Sequence, residues 1–63
     1  MPFTKDQMSK IQFAVIANRV AMDKINDTRL TTKQQLEAYE AWKNMSVRSW
    51  MEAGMTQEQA ESI

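Results

Sequence analysis

From Phe3 to Ala53 the chain contains neither glycine nor proline, the two residues that most readily interrupt a helix. Within that span only capping and turn-forming side chains can mark where helices begin and end. Phe3-Thr4-Lys5-Asp6-Gln7-Met8 reads as a helix start, with Thr4 as N-cap, Gln7 closing a capping box and Phe3 set against Met8 as a hydrophobic staple. This helix is expected to run to about Ile25 or Asn26, where Asn26-Asp27-Thr28 offers turn-forming side chains. In Leu30-Thr31-Thr32-Lys33-Gln34-Gln35 either threonine can cap and either glutamine can complete the box, so a second helix follows to about Ala53. Gly54, the only glycine, stands where a C-cap needs the left-handed conformation. Met55-Thr56-Gln57-Glu58-Gln59 then opens a short third helix, too short to hold unless docked.

The expected fold is all-α: one small domain over residues 1–63, an antiparallel hairpin at about 4–26 and 32–53, and a C-terminal helix at about 56–62. Two long helices of similar length joined by a few residues favour antiparallel neighbours. A chain of 63 residues hides only about 60% of the surface its unfolded form exposes. Disulfides and metals are the usual supplements to so small a core, but the sequence has no Cys and no His. Dimerisation into a four-helix bundle-like assembly is therefore expected.

Without Cys or a signal-peptide pattern, a cytoplasmic location is expected. The stretch Ile11 to Met22 is interrupted by Gln12, Asn18 and Arg19 and falls short of the roughly 20 residues of a bilayer span, so no membrane association is expected. Asn26-Asp27-Thr28 and Asn44-Met45-Ser46 match the glycosylation pattern, which has meaning only in a secreted chain.

Helical spacing gathers Ala38, Tyr39, Trp42, Met45, Ser46, Ser49, Trp50 and Ala53 on one side of the second helix, with Glu37, Glu40, Asn44, Arg48 and Glu52 opposite. A hairpin partner would satisfy such a helix. The first helix differs, because Ile11, Phe13, Ala14, Val15, Ile16, Ala17, Val20, Ala21 and Met22 cover most of its circumference. Apolar residues nearly all round imply burial on more than one side. We therefore expect an oligomer or partner interface on Ile11, Val15, Asn18, Met22, Phe13, Ile16 and Val20.

Met8, Ile11, Val15, Asn18, Met22 and Ile25 keep heptad spacing, with Asn18 the single polar member; a buried Asn there would set register, whereas an Asn at the edge of the face would point to water or a carbonyl. Met8, Met22 and Met45 fit core positions. Met51 and Met55 fall off the main face and, with Trp50, form a candidate adaptable contact surface. Tyr39, Trp42 and Trp50 read either as hairpin core or as recognition residues.

The absence of His and Cys removes the commonest general base, the thiol nucleophile and the usual zinc ligands. Glu37 and Glu40 lie one turn apart, but two carboxylates do not make a cation cage. No catalytic activity, cofactor or metal is expected. Basic and acidic residues are equal in number, which gives no strong field to attract nucleic acid. The charge is uneven along the chain, with basic residues in excess over 1–35 and acidic residues in excess over 36–63. Nucleic-acid binding through Lys5, Lys10, Arg19 and Lys24 of a dimer is a secondary expectation, diluted by Asp6 and Asp23.

Leu30-Thr31 through Gln35, Ala38, Tyr39, Trp42, Lys43 and Val47-Arg48 resembles the C-terminal pattern of small phage tail-assembly chaperones, over less than a third of the chain. The longer loop and Trp-containing segment usual before that pattern have no counterpart here. The small size and the lack of catalytic side chains suit a phage or mobile-element accessory protein. The expected function is that of a non-enzymatic interaction protein, an inhibitor, adaptor or assembly factor that binds itself and an unidentified protein. A structural subunit stable only within a larger assembly is the other reading.

Overall fold

A computed structural model describes residues 3–63 as three helices: α1 Lys5–Ile25, α2 Thr32–Glu52 and α3 Gln57–Glu61. α1 and α2 pack against each other as a hairpin, and α3 packs on α2. Among the described residues there is no strand.

Every helix begins with the same chemistry. Thr4, Thr31 and Thr56 each accept a hydrogen bond through Oγ1 from the backbone N–H three residues on, and the amide oxygen of Gln7, Gln34 or Gln59 accepts in return from the cap N–H. Thr31 rather than Thr32 takes the second cap. Each box satisfies two of the amide donors that a helix start leaves without partners. Phe3 and Met8, expected to close a staple at the first start, both remain exposed.

α2 ends in a Schellman turn. The Met55 N–H donates to the Trp50 carbonyl at 3.1 Å and the Gly54 N–H to the Met51 carbonyl at 3.0 Å, with Gly54 at φ 116°. Between α1 and α2 the Asn26 side chain donates to the Met22 carbonyl at 2.9 Å, and the Gln35 amide nitrogen ties the start of α2 to the Asp27 carbonyl at 2.6 Å.

In the same turn Arg29 donates to both carboxylate oxygens of Asp27, through Nε at 3.0 Å and Nη2 at 3.1 Å, and its backbone N–H adds a third bond at 3.0 Å. These bonds from Arg29 hold the Asp27 carboxyl below its usual range. A depressed folded-state pKa contributes stability above the unfolded value of about 3.9, lost as pH falls through the lower folded value. Asp27→Asn is therefore expected to lower the melting temperature at pH 7, and the gap to wild type should close on acidification below about pH 4. Circular dichroism melts across that range check this; a gap that persists at pH 2 would show that the charge is not what Asp27 contributes.

The hairpin seam is made of small residues. Ala14, Ala17 and Ala21 of α1 and Ser46 and Ser49 of α2 are buried, together with Ala53 just beyond α2 and Ala60 of α3. Ser46 Oγ donates to the Ala14 carbonyl and Ser49 Oγ to the Lys10 carbonyl, both at 2.7 Å. A serine reaches the facing backbone only when the helices lie close, and small side chains at the contact permit that approach.

The consequence reverses several expectations. Met8, Met22 and Met45 are not core but exposed, because the seam leaves no room for a side chain of that length. α2 is not satisfied by the hairpin either, since Leu36, Met45 and Met51 stay exposed. Of its expected face only Ser46, Ser49 and Ala53 are buried, while Ala38, Tyr39, Trp42 and Trp50 are half-buried. Trp50 thus flanks the seam, whereas Trp42, one turn before Ser46 on the same stripe, continues it as a half-buried residue.

Candidate functional site, two apolar sides of one hairpin

Two packed helices define a plane with two sides, and intrachain contacts assign side chains to each. On one side Lys43 Nζ donates to Asn18 Oδ1 at 2.9 Å and to the Ile63 carbonyl oxygen at 2.8 Å. Asn18 lies at helical spacing from Ile11, Val15 and Met22, and Lys43 from Leu36, Val47 and Trp50. This is the Val15 side. On the other, Phe13 of α1 and Met45 of α2 line a shallow groove of about 330 Å³ with Asp6, Ser9, Lys10, Arg48, Ser49 and Glu52. Ile16 and Val20 share the stripe of Phe13; Ala41 and Ala38 share that of Met45. This is the Phe13 side.

The expected interface residues therefore do not form one patch. Ile11, Val15, Asn18 and Met22 lie on the Val15 side and Phe13, Ile16 and Val20 on the Phe13 side, with the alanine seam between them. Phe13, Val15, Ile16 and Met22 are exposed, Ile16 to 58%, and Ile11, Asn18 and Val20 are half-buried. Asn18, considered as a register-setting residue, already has an intrachain donor in Lys43.

α3 occupies part of the Val15 side. Its C-terminal flank reaches Lys43 through Ile63, and Gln57 and Glu61 border a second groove of about 470 Å³ against Asn44, Val47, Arg48, Met51 and Glu52. Met51, exposed, sits in that groove, whereas Met55 is half-buried in the turn between α2 and α3. The Trp50 indole N–H has no acceptor among the described residues.

Charge is arranged at the margins. Lys10 pairs with Glu52 across the helices at 3.1 Å, and Lys33 lies 4.0 Å from Glu37 along α2. The uneven charge of the two halves thus yields one bridge between α1 and α2 among the described residues. With Lys10 paired to Glu52 and Lys24 about 100° or more around α1 from Lys5 and Arg19, no continuous basic track forms within one chain. Among the described residues no group of three or more His, Cys, Asp or Glu could hold a metal ion, and no helix is long and apolar enough to cross a membrane.

The chain matches no family model, no curated protein and no solved structure. Its chemistry is thus read from its own geometry.

The seam is the feature that the large apolar periodicity does not point to. Its signal is present in the sequence, since Ala14, Ala17 and Ala21 and then Ser46, Ser49 and Ala53 both follow the 3,4 spacing of a helical stripe. Two small-residue stripes of equal length mark a close helix pair as well as a large apolar stripe marks a broad one.

Proposed function

We propose that this protein is a non-enzymatic helical interaction protein that self-associates and presents a further apolar surface to a protein partner, as an adaptor or assembly factor would. One observation carries the reading: the hairpin closes on alanine and serine, and its large apolar side chains stay in solvent. Phe13, Val15, Ile16, Met22, Leu36, Met45 and Met51 are all exposed. Large apolar patches rimmed by polar residues mark interaction surfaces on small proteins.

The dimensions support it. The radius of gyration is 12.8 Å, against about 10.6 Å for a compact domain of this length. The accessible surface is 4892 Å², about 700 Å² above the roughly 4,200 Å² of a compact monomer of 7.3 kDa.

Self-association predicts a melting temperature that rises with protein concentration. Melts over a hundredfold concentration range, with sedimentation equilibrium on the same samples, test it. A concentration-independent transition of a monomer would remove self-association from the reading.

A further inference from the structure

Resting on that reading, the structure assigns the Phe13 side to a second copy of this chain, which would seat on Phe13, Ile16, Val20, Ala41 and Met45 and leave the Val15 side facing outward. Two observations favour the Phe13 side over the Val15 side, and a third fits a second copy as its occupant. The first is obstruction. α3 and the bridge from Lys43 to Asn18 and Ile63 stand on the Val15 side, so a flat partner surface meets protruding backbone and a half-buried ammonium there. The Phe13 side carries the groove between Phe13 and Met45, and α3 borders it only at one end, where Arg48 and Glu52 line both that groove and the one beside Gln57 and Glu61.

The second is charge. From Phe13 to Val20 and from Ala38 to Met45 the Phe13-side stripe is uncharged, and Asp6, Lys10, Arg48 and Glu52 gather at one end with equal numbers of each sign. An uncharged centre with a polar rim is the anatomy of a protein interface. A rim balanced in sign, on a chain of formal net charge zero, sets up no repulsion between identical copies and no pull toward a strongly charged partner.

The third is area. The excess of about 700 Å² over a compact monomer is close to the roughly 800 Å² that each partner contributes to a standard interface. Covering one side of the hairpin by a second copy accounts for it, in the manner of a four-helix bundle.

The native chain has no cysteine, so a single introduced thiol reports its own surroundings. Ile16→Cys and Val15→Cys are neighbours in sequence on opposite sides of α1, and both native side chains are exposed within one chain. Each variant would be treated with a thiol reagent at protein concentrations above and below the association midpoint found by sedimentation. The expected result is that the thiol at position 16 is slowed about tenfold or more at high concentration and released on dilution, while that at position 15 reacts alike at both. In parallel, Ile16→Asp should weaken association about 30-fold or more, as for a central interface residue, and Val15→Asp should not. Protection at 15 with none at 16, or at neither in a sedimenting dimer, would overturn the side assignment while leaving self-association intact. A monomer at every concentration would overturn both.

Discussion

Ala17→Leu is expected to remove a large part of the hairpin's stability, although the substitution adds apolar surface. Ala17 is 0% exposed, and its neighbours along the seam, Ala14 and Ala21, are equally closed. Over-packing a closed core costs typically about 1–3 kcal/mol. The cost should reach the upper part of that range here, because the register set by Ala14 with Ser46 and Asn18 with Lys43 places the half-buried Trp42 opposite Ala17, and a bulky indole there leaves little room to give. Separating the helices to admit a leucine would also stretch the 2.7 Å bonds from Ser46 and Ser49 to the α1 backbone.

At about 0.05–0.15 kcal/mol per residue, a chain of this length has roughly 3–9 kcal/mol of stability in total, so a loss near 3 removes a large part of it. Far-UV circular dichroism melts at one fixed concentration check the outcome. The control is Ile16→Ala at low concentration, where a side chain 58% exposed should cost well under half as much. If Ala17→Leu melts like wild type, the small-residue seam is not what joins the helices.

Gly54→Ala should have the next largest effect, and a more local one. An added Cβ would meet nothing within 4 Å, so no clash contributes. The cost lies in the backbone, because φ 116° is a conformation that L-residues avoid. About 1–2 kcal/mol is expected, since alanine forced to positive φ loses more than the few tenths it gains from a stiffer unfolded chain. The strain falls on the two bonds that turn the chain from α2 into α3, from Met55 to Trp50 and from Gly54 to Met51.

α3 has five residues and cannot persist undocked, so its release is the path of least resistance. Amide exchange over 57–61 should rise well before exchange in α1, and Ala60, now buried, should open. Uniform acceleration across all three helices would instead show that the turn is integral to the hairpin.

Both predictions rest on features of different legibility. Gly54 could be placed as a helix stop from one residue and its spacing, and Thr4, Thr31 and Thr56 as helix starts from a threonine followed by a glutamine three positions on. Ala17 could not be assigned its role so directly. Read by periodicity, Ile16 is the stronger candidate for burial, yet the structure exposes Ile16 and closes on the residue beside it. The same inversion moved Met8, Met22 and Met45 out of the core and divided the expected interface between opposite sides of α1. α1 carries apolar residues on both sides of its seam, yet only Ala14, Ala17 and Ala21 are buried, and α2 leaves Leu36, Met45 and Met51 exposed and is not satisfied by its partner helix.

The elements, their ends and the hairpin are legible in local sequence. Capping boxes, a glycine stop and a short connection act over a few residues, and so can be read in a few residues. Which stripe of each helix faces the other was decided only in the tertiary structure. Burial belongs to a pair of surfaces, and α1 carries three stripes able to pack: a small one between two large ones. The small stripe prevails where its counterpart on α2 is also small and can bond across at close range, as Ser46 and Ser49 do with the carbonyls of Ala14 and Lys10. That choice leaves the large side chains outside, and with them the surfaces through which this protein is proposed to act.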